Sequence, residues 1–508
     1  MRRINFTSSR IATAAAALAL AGCANYAGIQ PQSNARSAES VGLAADGGRS
    51  GAPGPLDRPP GPVARRMNTL VRALAGSWVS DPRVAVSLAG AGLLLGMLLG
   101  ATAPNAEAIG VHLPLSLLPS LSGHTVLASL MLYAAEILAG LGLAGMIWAN
   151  SKGWRPDPRH LLGASAVVVA VMVSLTPVGS SDVASYAVYG RIAAQGGNPY
   201  VTSPLAWGEA AYLDPVGMMW KDQPSVYGPV ATLLQSFAAW VGGSHVATTV
   251  LVWMVLNGLV FLGVGVLLLR TSDDPVRATL FWTANPVLIL ALVGGGHLDT
   301  LVAAAAVGAI QVARKLRSGW GDVLAGVLVG LGSGVKISAV LIGLGLAWPL
   351  VARRQWGRLL RMSAAAAAVL VVPYTFYGAS ALGPLLHGLQ LVTWPSPWRL
   401  VEITGRALGV SEAAMMHGIS LLWPLALLVV AWLLNQRIAT DQPREVVGPF
   451  VLVFAWILVA PWVFAWYTAV AWVALSQVPR NRMTRWLTLV TVILELFLSS
   501  GGHPMPVR

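Results

Sequence analysis

Charge is scarce in this chain. Lys, Arg, Asp and Glu make up only 10% of its 508 residues, against 56% apolar. A water-soluble globule of this length would need far more polar surface than that. Cysteine is nearly absent as well: Cys23 is alone, so no intrachain disulfide can form. Sustained alternation of polar and apolar residues is also lacking, which argues against a transmembrane barrel. What the sequence does have is apolar runs of about 17–25 residues, the length that crosses a hydrocarbon core as a helix. The sequence therefore predicts an all-α polytopic membrane protein, with thirteen spans at roughly 84–103, 125–148, 161–178, 246–269, 278–294, 300–316, 322–335, 337–351, 362–378, 416–434, 446–463, 464–478 and 486–500.

The net charge of +13 raises the question of nucleic acid, and the placement of the basic residues answers it. Alternating the loops between the two faces puts seventeen Lys/Arg on one side and six on the other: Arg191, Lys221, Lys336, Arg399, Arg406 and Arg508. That asymmetry is the positive-inside pattern, and it points to membrane lipids as the partner, with no nucleic acid. The same count orients the loops at 179–245 and 379–415 outward, as a multi-pass protein of the plasma membrane. One assumption carries the parity: "VYGPVATLLQSFAAWVGG", Val226–Gly243, must be interfacial or re-entrant and not a full span.

Ahead of the first span, Met1-Arg2-Arg3 and "ALALAGC" ending at Cys23 resemble a bacterial lipoprotein signal. Cleavage there would leave the following segment outside and set Arg65, Arg66, Arg72 and Arg83 against the charge bias, so residues 1–80 are read as a disordered extension. Residues 24–80, rich in Gly, Pro, Ser and Arg, have linker composition. Residues 84–500 form the expected transmembrane domain and 501–508 a tail.

The two long outward loops concentrate the polar and aromatic residues, and long ordered loops are where function tends to reside. "SSDVASYAVYGRIAAQGGNPY", Ser180–Tyr200, places Asp182 just past an apolar run. An acid beside a bilayer is costly and usually has a task. Asp182 either caps the helix that starts there or serves as a base for an attacking hydroxyl, and a Ser180 or Ser181 cap would permit both. A transferase on this face would draw on a lipid-borne sugar, whose phosphate leaves as a stable anion and needs positive charge nearby. Arg191, Lys221, Lys336 and Arg399 are the candidates for that phosphate. Lys336 follows "GSG" at Gly332–Gly334, where the small residues let helices approach closely and predict a break between two short helices, with Lys336 either facing a polar cavity or snorkelling.

"GGGHLDTL", Gly294–Leu301, sets His297 and Asp299 at the end of a span. Asp299 either caps the next helix or joins His297 in contacting sugar or phosphate; with only these two potential ligands close in sequence, no metal site and no cofactor are expected. Tyr186, Tyr189 and Tyr227 are further candidates for sugar or acceptor contacts. In "TWPSPWRL", Thr393–Leu400, Trp394 and Trp398 offer faces for sugar stacking or belong to the interfacial aromatic belt. Glu136 and Glu495 fall deep within spans, either facing a cavity or paired across helices.

Together, "SSDVASYAVYGRIAAQGGNPYV", "PSVYGPV", "NPVLILALVGGGHLDTL", "GSGVKISA" and "WPSPWR" resemble the polyprenol-phosphomannose-dependent α-(1→6)-mannosyltransferases of actinobacterial lipomannan assembly, in the GT-C superfamily. The resemblance covers roughly 84–500. It implies a GT-C fold, an extracytoplasmic active site, a polyprenyl-phosphate-linked mannosyl donor, a lipid-anchored mannan acceptor and an inverting displacement with Asp182 as base. It also marks Trp394–Arg399 as a donor or acceptor loop. The family stretch usually reads Gly-His-Asn-Asp, and Leu298 departs from it between His297 and Asp299. A GT-C transferase for another polyprenyl-linked sugar, such as arabinose or glucose, shares the architecture. A lipid-linked sugar transporter is the alternative from another class; it would place its charges at the midplane and keep its outer loops short.

Overall fold

The computed structural model describes residues 81–103, 113–121, 124–316, 318–382, 392–438 and 442–498. The extension 1–80, with the signal-like stretch 1–23, and the tail 501–508 lie outside these residues, as does part of the loop at 379–415. The described residues are predominantly helical, with no strand among them. The chain is an all-α polytopic membrane protein.

Sixteen helices are numbered here: α1 Pro82–Ala101, α2 Thr125–Ser151, α3 Pro158–Met172, α4 Asp182–Ala194, α5 Pro229–Gly242, α6 Val246–Thr271, α7 Pro275–Phe281, α8 Asp299–Lys315, α9 Gly319–Val335, α10 Val340–Ala352, α11 Trp356–Tyr377, α12 Trp398–Ala407, α13 Glu412–Gln436, α14 Arg444–Val459, α15 Thr468–Gln477 and α16 Met483–Leu498. Each of the thirteen expected spans overlaps one of these helices or a broken pair, although several of those helices are shorter than the span expected. Among the described residues five helices are long and apolar enough to cross a membrane: α1, α2, α6, α11 and α13. The bent pair α7 and Pro286–Gly294 makes a sixth. At 14 residues α5 extends about 21 Å, short of the roughly 30 Å hydrocarbon core.

Small residues set the packing. A Cβ on Gly92 of α1 would lie 2.7 Å from the Ala135 carbonyl oxygen of α2, and one on Gly326 of α9 2.1 Å from that of Met362 of α11. Such backbone-to-backbone approach is how helices associate where water supplies no hydrophobic drive. The same device seats α4, since a Cβ on Gly190 would meet the Gln235 carbonyl oxygen of α5 at 2.2 Å. Nine of the thirteen residues of α4 are buried, because α5 and α6 both pack against it. The helix start expected at Ser180–Asp182 is present, and α4 is enclosed on several sides.

Two breaks differ from expectation. α9 runs through Gly332–Gly334 and stops at Val335; Lys336 is the extended residue (φ −151°, ψ 129°) before a 3-10 turn at Ile337–Ala339 leads into α10. The glycines serve packing instead, with a Cβ on Gly334 reaching the Val230 side chain at 2.5 Å. The spans drawn as abutting at 463 and 464 are separated: α14 ends at Val459, Pro461 interrupts, and a 3-10 turn at Ala465–Tyr467 precedes α15. Proline cannot supply the N–H that a continued helix would need.

Candidate active site

Four chain breaks converge on Asp182. It is the first residue of α4, following Ser181 at the cap position, whose side chain makes no capping hydrogen bond. The Asp182 carboxylate is spent neither on capping nor on an arginine. Its backbone N–H donates to Ser180 Oγ at 3.1 Å, and Oδ2 accepts from the Tyr186 hydroxyl one turn on, at 3.4 Å. His297 Nδ1 lies 3.5 Å from the same oxygen. The Asp182 side chain keeps 23% exposure. Desolvation dominates its environment and raises its pKa to about 6; nearby Lys336 opposes that rise and Asp299 adds to it.

His297 is held from every direction. Its carbonyl accepts from Asn257 Nδ2 at 2.7 Å and from the Thr300 hydroxyl at 3.1 Å, and its N–H donates to the Leu292 carbonyl at 3.0 Å. Gly296 before it takes φ +64°, a left-handed conformation, and its carbonyl accepts from Trp253 Nε1 at 2.8 Å. The ring is 1% exposed and stacks on Trp466 with centroids 3.7 Å apart and planes 11° from parallel. Burial, and then the Lys336 charge, hold the imidazole neutral.

Behind these residues Lys336 Nζ reaches both Asp299 oxygens, at 3.0 and 2.9 Å, and lies 3.5 Å from the Tyr467 ring centre. The Gly228 N–H donates to the Val335 carbonyl at 3.0 Å, which pins the start of α5 to the Lys336 break. Tyr227, just before, packs edge-on against Tyr186 at 5.0 Å and near Tyr189 at 6.4 Å. The result is a partly open carboxylate with the Tyr186 hydroxyl donating to one oxygen and His297 Nδ1 3.5 Å from the same atom, a fixed cation close by and an aromatic wall. Such a group can take a proton from a hydroxyl beside a departing anion.

Residues 61–353, more than half of the chain, match the family model described as "Alpha-(1->6)-mannopyranosyltransferase, N-terminal domain". The chain belongs to this mannopyranosyltransferase family. It is thus a glycosyltransferase. Over 414 residues, 75% of this chain and 78% of the relative, it is 25% identical to alpha-(1->6)-mannopyranosyltransferase A of Mycobacterium tuberculosis. It is also 28% identical over 201 residues to alpha-(1->6)-mannopyranosyltransferase B of Corynebacterium glutamicum, covering 36% of this chain and 33% of that one. No solved structure matches the chain.

Within this transferase Asp182, Tyr186, Tyr189, Tyr227, His297, Asp299 and Lys336 come together. The other expected residues lie in separate contacts. Arg191 is held by Glu209 at 3.0 Å and lies over the Tyr212 ring. Lys221 follows the short turn Met218–Trp220 in the same loop. Arg399 bonds Glu402 at 2.5 Å and lies 4.8 Å from the Trp394 ring, and Trp398 Nε1 donates to the Val459 carbonyl at 2.6 Å. Thr393 and Ser396 also bond the carbonyls of Pro461 and Ala460. The loop with Trp394 and Trp398 is thereby tied to the break that supplies Trp466 and Tyr467. Sequence reasoning missed those two aromatics and Asn257; the proline and aromatic density of "APWVFAWY" were the available signal. Glu136 and Glu495 line one small pocket, whose wall includes His297 and Trp466.

Proposed function

We propose that this transferase moves mannose from a polyprenyl-phosphate donor onto a lipid-anchored α-(1→6) mannan, at the outer face of the plasma membrane. The observation that carries the reading is Asp182: a partly exposed carboxylate at a helix start, free of capping duty, in a polar cluster with Lys336 and His297. The acceptor hydroxyl gives its proton to Asp182 as its oxygen attacks the anomeric carbon, and the bond to the lipid phosphate breaks in line. A β-linked donor then yields an α-linkage in one displacement. No general acid is required, because the phosphate departs as an anion. Of the four cations proposed for the phosphate, Lys336 is the one in contact with the Asp182 cluster; Arg191 and Arg399 each hold a carboxylate as well.

The outer-face assignment rests on the Lys/Arg asymmetry between loops. Tyr227, Trp394 and Trp398 are the proposed sugar and acceptor contacts; Tyr186 and Tyr189, at 2% and 0% exposure, are too buried to be direct contacts.

The test is transfer from radiolabelled polyprenyl-phosphomannose to a short α-(1→6) mannoside by membranes carrying the chain. Asp182→Asn should lower the rate about 10²–10⁴-fold while leaving donor binding intact. Near-wild-type elongation by the purified variant would sink the assignment. Label entering the acceptor only from a polyprenyl-linked pentose would change the sugar and keep the mechanism.

A further inference from the structure

His297 combines features that do not suit direct contact with a substrate. The ring is 1% exposed, one face is covered by Trp466, and its backbone is fixed by four hydrogen bonds. Nδ1 has no hydrogen-bond partner among the described residues, and the Asp182 Oδ2 atom lies 3.5 Å from it. A carboxylate oxygen only accepts, so the nitrogen facing it is the one that carries the proton in a neutral imidazole.

We propose that His297 is a positioning residue for Asp182: its Nδ1–H and the Tyr186 hydroxyl hold Oδ2, which turns Oδ1 toward the acceptor hydroxyl. The role rests on Asp182 being the base. The two donors fix the plane of the carboxyl group before the acceptor arrives, and Trp466 fixes the plane of the imidazole. Oδ1 gains the acceptor's proton as the new glycosidic bond forms, and Oδ2 keeps its two donors throughout. His297 itself exchanges no proton. The other titratable and charged groups around the pair are Tyr189, Tyr227, Asp299, Lys336 and Tyr467, with Glu136 and Glu495 in the pocket that His297 helps line.

His297→Phe keeps the stack on Trp466 and deletes the donor. It should lower kcat about ten- to a hundred-fold, the usual cost of losing a hydrogen bond to a charged group, with KM for the donor changed less than about two-fold. The acid limb of the pH–rate profile should move to higher pH, because the ionised carboxylate has lost a donor. His297→Asn, whose amide nitrogen reaches the place of Nδ1, should recover part of kcat and return the limb. Adding His297→Phe to Asp182→Asn should cost nothing further, since the two act as one unit. Wild-type kcat and an unmoved limb in folded His297→Phe protein would overturn the proposal. A dead Asp182→Asn beside such a result would leave the base reading standing, whereas an active Asp182→Asn would remove both. Should His297→Phe fail to fold, ¹⁵N-histidine labelling of the unsubstituted protein decides: a neutral Nδ1–H tautomer at His297, perturbed by Asp182→Asn, supports the role, and the Nε2–H tautomer refutes it.

Discussion

Lowering the pH is the cleanest perturbation of this site, because the proposed mechanism uses only the ionised form of Asp182. Burial raises that carboxyl to about 6. At pH 5 about a tenth of the molecules would then carry the base in working form, and at pH 7 about nine tenths. A solvated aspartate, with a pKa near 3.9, would be about nine tenths ionised or more at both values. The sign follows directly: activity is present above the folded value and is lost as the pH falls through it. The measurement is kcat/KM for the mannosyl lipid from about pH 4.5 to 8.5, with donor below KM. A phosphodiester donor and a sugar hydroxyl do not titrate in this range, so the limb reports the enzyme. Expected is a plateau above pH 7 and a fall of about ten-fold per unit well below pH 6. A rate that stays level down to about pH 4.5 would refute the reasoning, as would an Asp182→Asn enzyme whose residual activity shows the same limb.

Two further outcomes follow from the supports of the site. Lys336→Met should destabilise the fold by about 3–5 kcal/mol, because Asp299 is 2% exposed and would be left as an uncompensated buried charge. Lys336→Met with Asp299→Asn should recover most of that loss in thermal unfolding, while a double variant no more stable than the single one would show that the pair is not coupled. Gly190→Ala forces α4 away from the Gln235 carbonyl, which an added Cβ would meet at 2.2 Å. It should lower Tm by the equivalent of about 1–3 kcal/mol and reduce kcat, since α4 carries Asp182 at its first position; an unchanged Tm would mean that α4 and α5 can separate freely.

Helices and membrane class were legible because they depend on composition summed over long windows. Asp182 was legible for a local reason, being an acid directly after an apolar run. Its partners were not: the bond from Lys336 to Asp299 joins residues 37 apart, and Trp466 and Tyr467 arrive from another break far along the chain. The glycines before Lys336 were read as allowing both close approach and a helix break; the helix runs through them, and they act through what they lack, a Cβ between α9 and its neighbours. The two abutting spans at 463 and 464 hid the most informative feature, since Pro461 was read through as part of one apolar run. Non-helical backbone leaves polar groups that must find partners when buried. Here the breaks at Ser180, Gly295–His297, Lys336 and Ala460–Tyr467 meet each other. An interruption inside an apolar run is therefore the sequence signal that best locates this site, because each one delivers a polar or aromatic side chain to Asp182 or to the groups that hold it.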